Sequence, residues 1–426
     1  MREMSTNLGL DAGKTPEQLY AERLKRFMAA VELKQPDRIP IQLGMGYALA
    51  EMGGISKQEL HDNPEKAQEL LEKAALEYQP DVITGFFGGP GPSRVLGDRM
   101  TMWPGYGLDP NGSFQFVEQE FMKADDYDDF LEDPADWGVR VYLPRAFSSL
   151  EGLSMLPPLG MFNFGYYNLM NIGVLATPPV AAALRALGEA AQAAVEAGAR
   201  AKQSAQRLAA AGFPPSRFRG VLLEAPFDFM SDTLRGMRGI FLDMLRRPEK
   251  LLAAEEKVAR FQVKHAIAFS RTTGINYVGF PLHRGSDGFM SLAQFEKFYW
   301  PQLKGMWLEL IDNGITPHVF YEGVWDQRLK YLADLPRGKT AGMFQSSDIF
   351  KVKEVVGDTM CIIGGMSNSL LQSGTVEEVR ERTKEVCRIV GKGGGFIMGT
   401  GIGELEGCQP ELIKAWVNAT REYGVY

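Results

Sequence analysis

The chain has 426 residues, 45% hydrophobic and 23% charged, a balance that supplies a packed core and excludes disorder as the resting state. A formal charge of -7, with no lysine or arginine run, excludes an electrostatic footprint for nucleic acid or for anionic lipid. Three cysteines, Cys361, Cys387 and Cys408, have no CxxC spacing and no framework of pairs, which excludes a disulfide-stapled scaffold and makes the reducing cytoplasm the expected compartment.

From the amino terminus, residues 1–14 are polar and of mixed charge without an apolar signal-like stretch. No run approaches the roughly 20 apolar residues a bilayer span requires, so neither export nor a membrane is expected. Short apolar runs then recur at 39–43, 81–86, 220–224, 276–281, 315–321, 339–345, 360–364 and 394–398. Helical patterns at 248–272, 291–313 and 375–390 fall between them, the alternation of a parallel sheet with crossover helices. The expectation is an α/β chain forming one (β/α)8 TIM barrel over residues 1–426, with helical and loop insertions.

Two stretches interrupt the repeat. Residues 88–134 are rich in loop formers and carry the acidic cluster Asp125-Asp126-Tyr127-Asp128-Asp129, whose spacing fits a solvated helix start and no EF-hand. Residues 179–212 are alanine-rich and amphipathic, and read as one long helix, either a packing arm or the contact of a homodimer. Farther on, Thr375 with Glu378 makes a capping box, and Pro301 opens a fresh helical turn after the aromatic run Phe295, Phe298, Tyr299, Trp300.

The stretch Ile315-Thr-Pro-His-Val-Phe-Tyr-Glu322 reads as a buried strand that delivers His318 and Glu322 to the same place. Of the four histidines, His61, His265, His283 and His318, two stand at apparent strand ends, His283 and His318, where α/β barrels keep their chemistry. The alternative for each is a local hydrogen bond. Arg284, next to His283, is the arginine placed to hold a substrate carboxylate. Gln345 follows another strand as a hydrogen-bonding group at the rim, and His318 with Glu322 offers the start of a nitrogen and oxygen metal site.

Pro36-Asp37-Arg38-Ile39-Pro40, Gly364-Gly365-Met366, Gly394-Gly395-Phe396-Ile397-Met398 and Glu422-Tyr423-Gly424 resemble the uroporphyrinogen decarboxylase superfamily. That resemblance implies a barrel and three chemistries: decarboxylation of a porphyrin precursor, zinc-dependent thiol methylation, and corrinoid-linked methyl transfer. Where the decarboxylase carries arginines for its poly-acid, this chain has Leu43-Gly44-Met45-Gly46-Tyr47 and no guanidinium. Where the thiol methyltransferases carry zinc-binding cysteines, Phe320 and Ile402 stand, so zinc lacks its thiolates, with Cys408 a few residues beyond.

The remaining branch implies a methyltransferase that takes a methyl group from a small methylated donor, a methoxylated aromatic above all, and passes it to cobalt. No Asp-x-His-x-x-Gly segment is present, so methylcobalamin or a related corrinoid would arrive on a partner corrinoid protein. The resemblance assigns catalysis to His283, His318, Tyr321 and Glu322, with Glu322 or a histidine as proton donor. It assigns the substrate pocket to Tyr47, Phe86, Tyr166, Glu224, Phe227, Asp228, Arg284 and Gln345, with Glu224-Ala225-Pro226-Phe227-Asp228 at a strand end. The competing expectation is a carboxy-lyase acting on a smaller acid without a corrinoid.

Overall fold

The computed structural model describes residues 13–85, 88–215 and 220–426. Eight parallel strands form its frame: β1 (Gln42–Gly44), β2 (Val82–Thr84), β3 (Val221–Leu222), β4 (Tyr277–Leu282), β5 (Thr316–Tyr321), β6 (Ala341–Phe344), β7 (Cys361–Met366) and β8 (Phe396–Thr400). Each falls on one of the apolar runs read from the sequence. β3 to β8 pair in succession as a six-stranded sheet and β1 pairs with β2 as a second. A parallel bridge from Ile41 to Met398 sets β1 beside β8. The strand order therefore runs without interruption from β2 through β1 and β8 back to β3. Between β2 and β3 no ladder is formed among the described residues, so the structure shows a mixed α/β fold and does not show the closed barrel expected from the sequence.

Helices cover the strands. α1 (Pro16–Val31) starts at a Thr15 capping box and sends Phe27, Ala30 and Val31 against Val82, Ala341, Met343, Cys361, Ile363 and Ile397, which alternate along their strands to one face. α2 (Pro178–Ala210) is the single alanine-rich helix, 33 residues long, and it packs on the turn of helix Ser148–Met155. α3 (Pro248–Thr273) buries Leu251, Ala254, Val258 and Val263 along one stripe. α4 (Trp300–Asp312) starts with Pro301 in its first turn, and α5 (Val376–Ile389) starts at the Thr375 and Glu378 capping box. A Cβ at Gly365, whose φ is +101°, would lie 2.7 Å from Val386 of α5, so β7 and that helix approach as closely as only glycine permits.

The first insertion is not merely loop. It holds a small sheet of Thr101–Pro104, Gly107–Leu108 and Gln115–Phe116, followed by the short helix Tyr127–Glu132, whose approach carries the acidic cluster. Asp126 of that cluster pairs with Arg145 and Asp128 with Lys250, which places the cluster in surface ion pairs. Among the described residues no single helix is long and apolar enough to cross a membrane.

Candidate functional site

The register of β4 with β5 assembles the centre of the site. Gly279 faces His318, Pro281 faces Phe320, and the ladder ends with Leu282 opposite Tyr321. One residue farther, the Glu322 amide donates to the Leu282 carbonyl at 3.1 Å, so His283 and Glu322 leave adjacent strands side by side on the same face. Their side chains meet, with His283 Nε2 3.2 Å from Glu322 Oε1. The other ring nitrogen, Nδ1, lies 2.8 Å from Asp232 Oδ2. The second Asp232 oxygen accepts from Arg284 Nε at 2.8 Å.

Beneath this pair the backbone of the strand end is fixed by Asp228, which is 1% exposed. It accepts from the amides of His283 at 2.9 Å and Arg284 at 3.1 Å, and from the Tyr299 hydroxyl at 2.7 Å. Those amides have run out of strand partners, and a carboxylate is the strongest acceptor the chain can offer them. Phe227, also buried, leans on the Tyr299 ring. At the end of β3, Gln262 acts in place of a neighbouring strand: its amide accepts from Glu224 N at 2.9 Å and donates to Glu224 O at 3.1 Å. Among the described residues the Glu224 carboxyl receives only the Thr233 hydroxyl, at 3.5 Å.

Electrostatics divides these groups into two kinds. Burial alone would lower the His283 pKa, but hydrogen bonds to Asp232 and Glu322 outweigh it and raise the value to about 11, so the ring is an imidazolium with both nitrogens donating. Asp232 is pushed up by burial and pulled down further by His283 and Arg284, ending below its ordinary range. Glu224 goes the other way: burial first, then repulsion from Asp232 and Asp228, raises it to about 7. Burial and Asp232 also raise Asp228. The site thus holds a fixed cation and, within its electrostatic reach, a carboxyl that carries a proton near neutrality, a combination suited to general acid work on an oxygen.

The structure brings together Glu224, Asp228, His283, Arg284 and Glu322, and adds Asp232, Thr233 and Tyr299, which the sequence reading passed over. The signal for Asp232 was its spacing of four from Asp228 on the helical segment that follows Glu224. Gln345, at the end of β6, accepts from Gly323 N at 2.7 Å and so pins the turn after Glu322.

Two expected members are not at the centre. His318 is the third residue of β5, four before Glu322, which separates the two by about 13 Å along an extended strand. It is 2% exposed, and its ring lies 5.8 Å from that of Tyr277 at the start of β4. The paired delivery of His318 and Glu322 is therefore corrected, and with it their pairing as metal ligands. Tyr321 alternates to the opposite face from Glu322, where it stacks on Phe344 at 4.4 Å and is fully buried. Phe86 lies outside the described residues, as does the side chain of Tyr166.

Tyr47 occupies a separate wall: its hydroxyl lies 3.0 Å from His61 Nε2, and Lys57 sits 4.8 Å over its ring. Burial lowers the His61 pKa to about 4, so that ring is neutral. Lys57 also pairs with Glu406, and burial raises the carboxyl of the neighbouring Glu404.

The donor set fits zinc poorly. Both His283 nitrogens are engaged as donors, and among the described residues no three His, Cys, Asp or Glu side chains converge as a metal-binding group. The three thiols are free and buried, with burial raising Cys387 to about 12 and Cys408 to about 11. Cys408 packs beside Asn368 and makes no contact with His283 or Glu322.

Comparison with known proteins gives two findings. Residues 220–423, which include β3 to β8 and every residue of the His283 cluster, match the family model "Uroporphyrinogen decarboxylase (URO-D)". Among solved structures, a methyltransferase from Methanosarcina mazei superposes with a TM-score of 0.58 at 17% sequence identity, covering 94% of this chain and 98% of that one. At that identity the likeness establishes the fold. No curated protein sequence gives a significant match.

Proposed function

Because residues 220–423 match the uroporphyrinogen decarboxylase family, we propose that this chain is a methyltransferase of that superfamily's corrinoid-linked branch, built on a (β/α)8 barrel. In this reading it takes a methyl group from a small methylated donor, a methoxylated aromatic, and passes it to the cobalt of a separate corrinoid protein. The observation that carries the reading is Glu224, a buried carboxyl at the end of β3 whose pKa is raised to about 7, within electrostatic reach of the His283 imidazolium.

An aryl methyl ether breaks its methyl–oxygen bond only when the oxygen becomes a better leaving group. The electron pair of that bond goes to oxygen, and Glu224 delivers the proton that neutralises it. His283 places a fixed positive charge where the negative charge develops, and Asp232 and Glu322 hold its ring in one orientation. This assigns the proton to Glu224 and an orienting role to Glu322. The corrinoid, when bound on its own protein, supplies the nucleophilic metal that receives the methyl group.

The lyase reading is disfavoured by Arg284. A substrate carboxylate needs a guanidinium free to grip it, whereas Arg284 meets Asp232 at 2.8 Å, stands 3.9 Å from Glu118 and covers the Phe289 ring at 4.8 Å.

The test is a methyl-transfer assay with purified protein, reduced cobalamin or a corrinoid protein, and a panel of methoxylated aromatics and methylamines. Conversion of Co(I) to methyl-Co(III), dependent on a methoxylated aromatic, is expected. Silence across that panel together with carbon dioxide release from a panel of carboxylic acids would overturn the reading in favour of the lyase.

A further inference from the structure

On the flank of the fold, a groove of about 550 Å³ lies between α3 and residues 130–142, with Phe229 and Leu234 of the segment that carries Asp232 in its wall. That volume accommodates one small molecule. Its wall is aromatic: Trp137 and Tyr142 stack at 6.1 Å, and Phe229 meets the partly exposed Phe261 edge-on at 5.6 Å. The indole N–H of Trp137 has no hydrogen-bond partner among the described residues.

The other rim is cationic. Lys257, Arg260 and Lys264 are spaced three and four apart, so α3 presents all three on one face. Arg260 pairs with Glu256, while Lys257 and Lys264 make no ion pair among the described residues. The single carboxylate lining the groove, Asp133, is already engaged: it accepts from the amides of Ala135 at 3.0 Å and Asp136 at 3.1 Å as a helix cap. Positive charge on this rim is therefore in excess, facing aromatic surface.

We infer that this groove binds a small planar aromatic anion, its ring against the aromatic wall and its carboxylate at Lys257 and Lys264. A flat ring buries apolar area there, and the lysines supply charge-assisted hydrogen bonds that an uncharged analogue of the same shape cannot accept as strongly. The inference stands apart from methyl transfer, because it concerns neither Glu224 nor His283.

The experiment is calorimetric titration of the full chain with 2-naphthoate and, as the uncharged control, 2-naphthamide. The acid is expected to bind at least about tenfold more tightly than the amide, the difference one charge-assisted hydrogen bond supplies. The doubly substituted Lys257→Gln, Lys264→Gln protein should lose about that factor, whereas His283→Ala should bind as wild type. Lys264 is exposed and Lys257 half-buried, and a thermal melt confirms that the variant folds. Equal affinity for acid and amide, no binding of either, an undiminished double variant, or loss of binding in His283→Ala would each overturn the inference. So would binding of an acidic peptide where the naphthoate fails. Binding is read without turnover, so failure here and failure of the methyl-transfer assay are separate results.

Discussion

Two buried charge clusters in this molecule are built on opposite principles. At the foot of β2, Asp81 is fully buried between Arg26 at 2.5 Å and Arg38 at 2.7 Å, and also accepts from the Ile41 amide at 2.8 Å, while Asp37 grips Arg26 at 2.6 Å. Two acids meet two guanidiniums, and despite burial the arginines hold Asp81 below its ordinary pKa. At the other cluster, among the described residues, the four acids Glu224, Asp228, Asp232 and Glu322 share two cations, His283 and Arg284, and the unmatched acid, Glu224, is driven up to about 7. The lesson is that saturation with arginine makes a clamp between elements, whereas a deficit of cations leaves a proton available for chemistry.

The comparison can be broken most sharply at the chemical cluster. In His283→Ala, turnover in the methyl-transfer assay should fall by about 10²- to 10⁴-fold while circular dichroism shows the fold intact; a variant with full turnover would remove His283 from the reaction. At the clamp the expected damage is the reverse. Asp81→Asn should cost about 3–5 kcal/mol by urea denaturation, because two buried guanidiniums lose their counter-charge, with the remaining folded protein still active.

Acid and alkali should separate the two clusters next. Asp81, lowered in the folded state, contributes stability that is complete above the ordinary aspartate pKa of about 3.9 and is lost as pH falls through its folded value. Glu224, raised in the folded state, has the opposite sign: its protonated form is favoured below its ordinary pKa, and that contribution disappears as pH rises through about 7. The rate profile should accordingly decline above about pH 7, and Glu224→Gln should abolish both turnover and that limb. A decline that survives the substitution would assign the proton elsewhere. The smallest effect belongs to His318→Gln, which should cost about 1–3 kcal/mol as a buried polar change and leave the rate per folded molecule unchanged.

Much of the frame was legible because strand-forming runs are local: each of the eight parallel strands lies on an apolar run, and the Thr375 capping box needs only neighbours in sequence. His283 was legible for the same reason, standing two residues past such a run. Height along a strand was not. His318 and Glu322 read as one delivery until the ladder put Gly279 and Ala341 beside His318 and the end of β4 beside Glu322. Tyr321 was legible in principle, since neighbours on a strand must face opposite ways. Tyr299 reaches the site only through its tertiary contact with Asp228, which no local pattern encodes.

The register that sets His283 beside Glu322 also decides what lengths of chain are tolerated here. Removing one residue within Tyr277–Leu282 would turn the imidazole to the other face of the strand and bring Arg284 into its place, however conservative the composition. In a family tree of such chains, substitutions along this strand are admissible, but insertions and deletions are not. Alignment gaps would collect in the loops on either side, and the length of the strand itself would be the inherited trait.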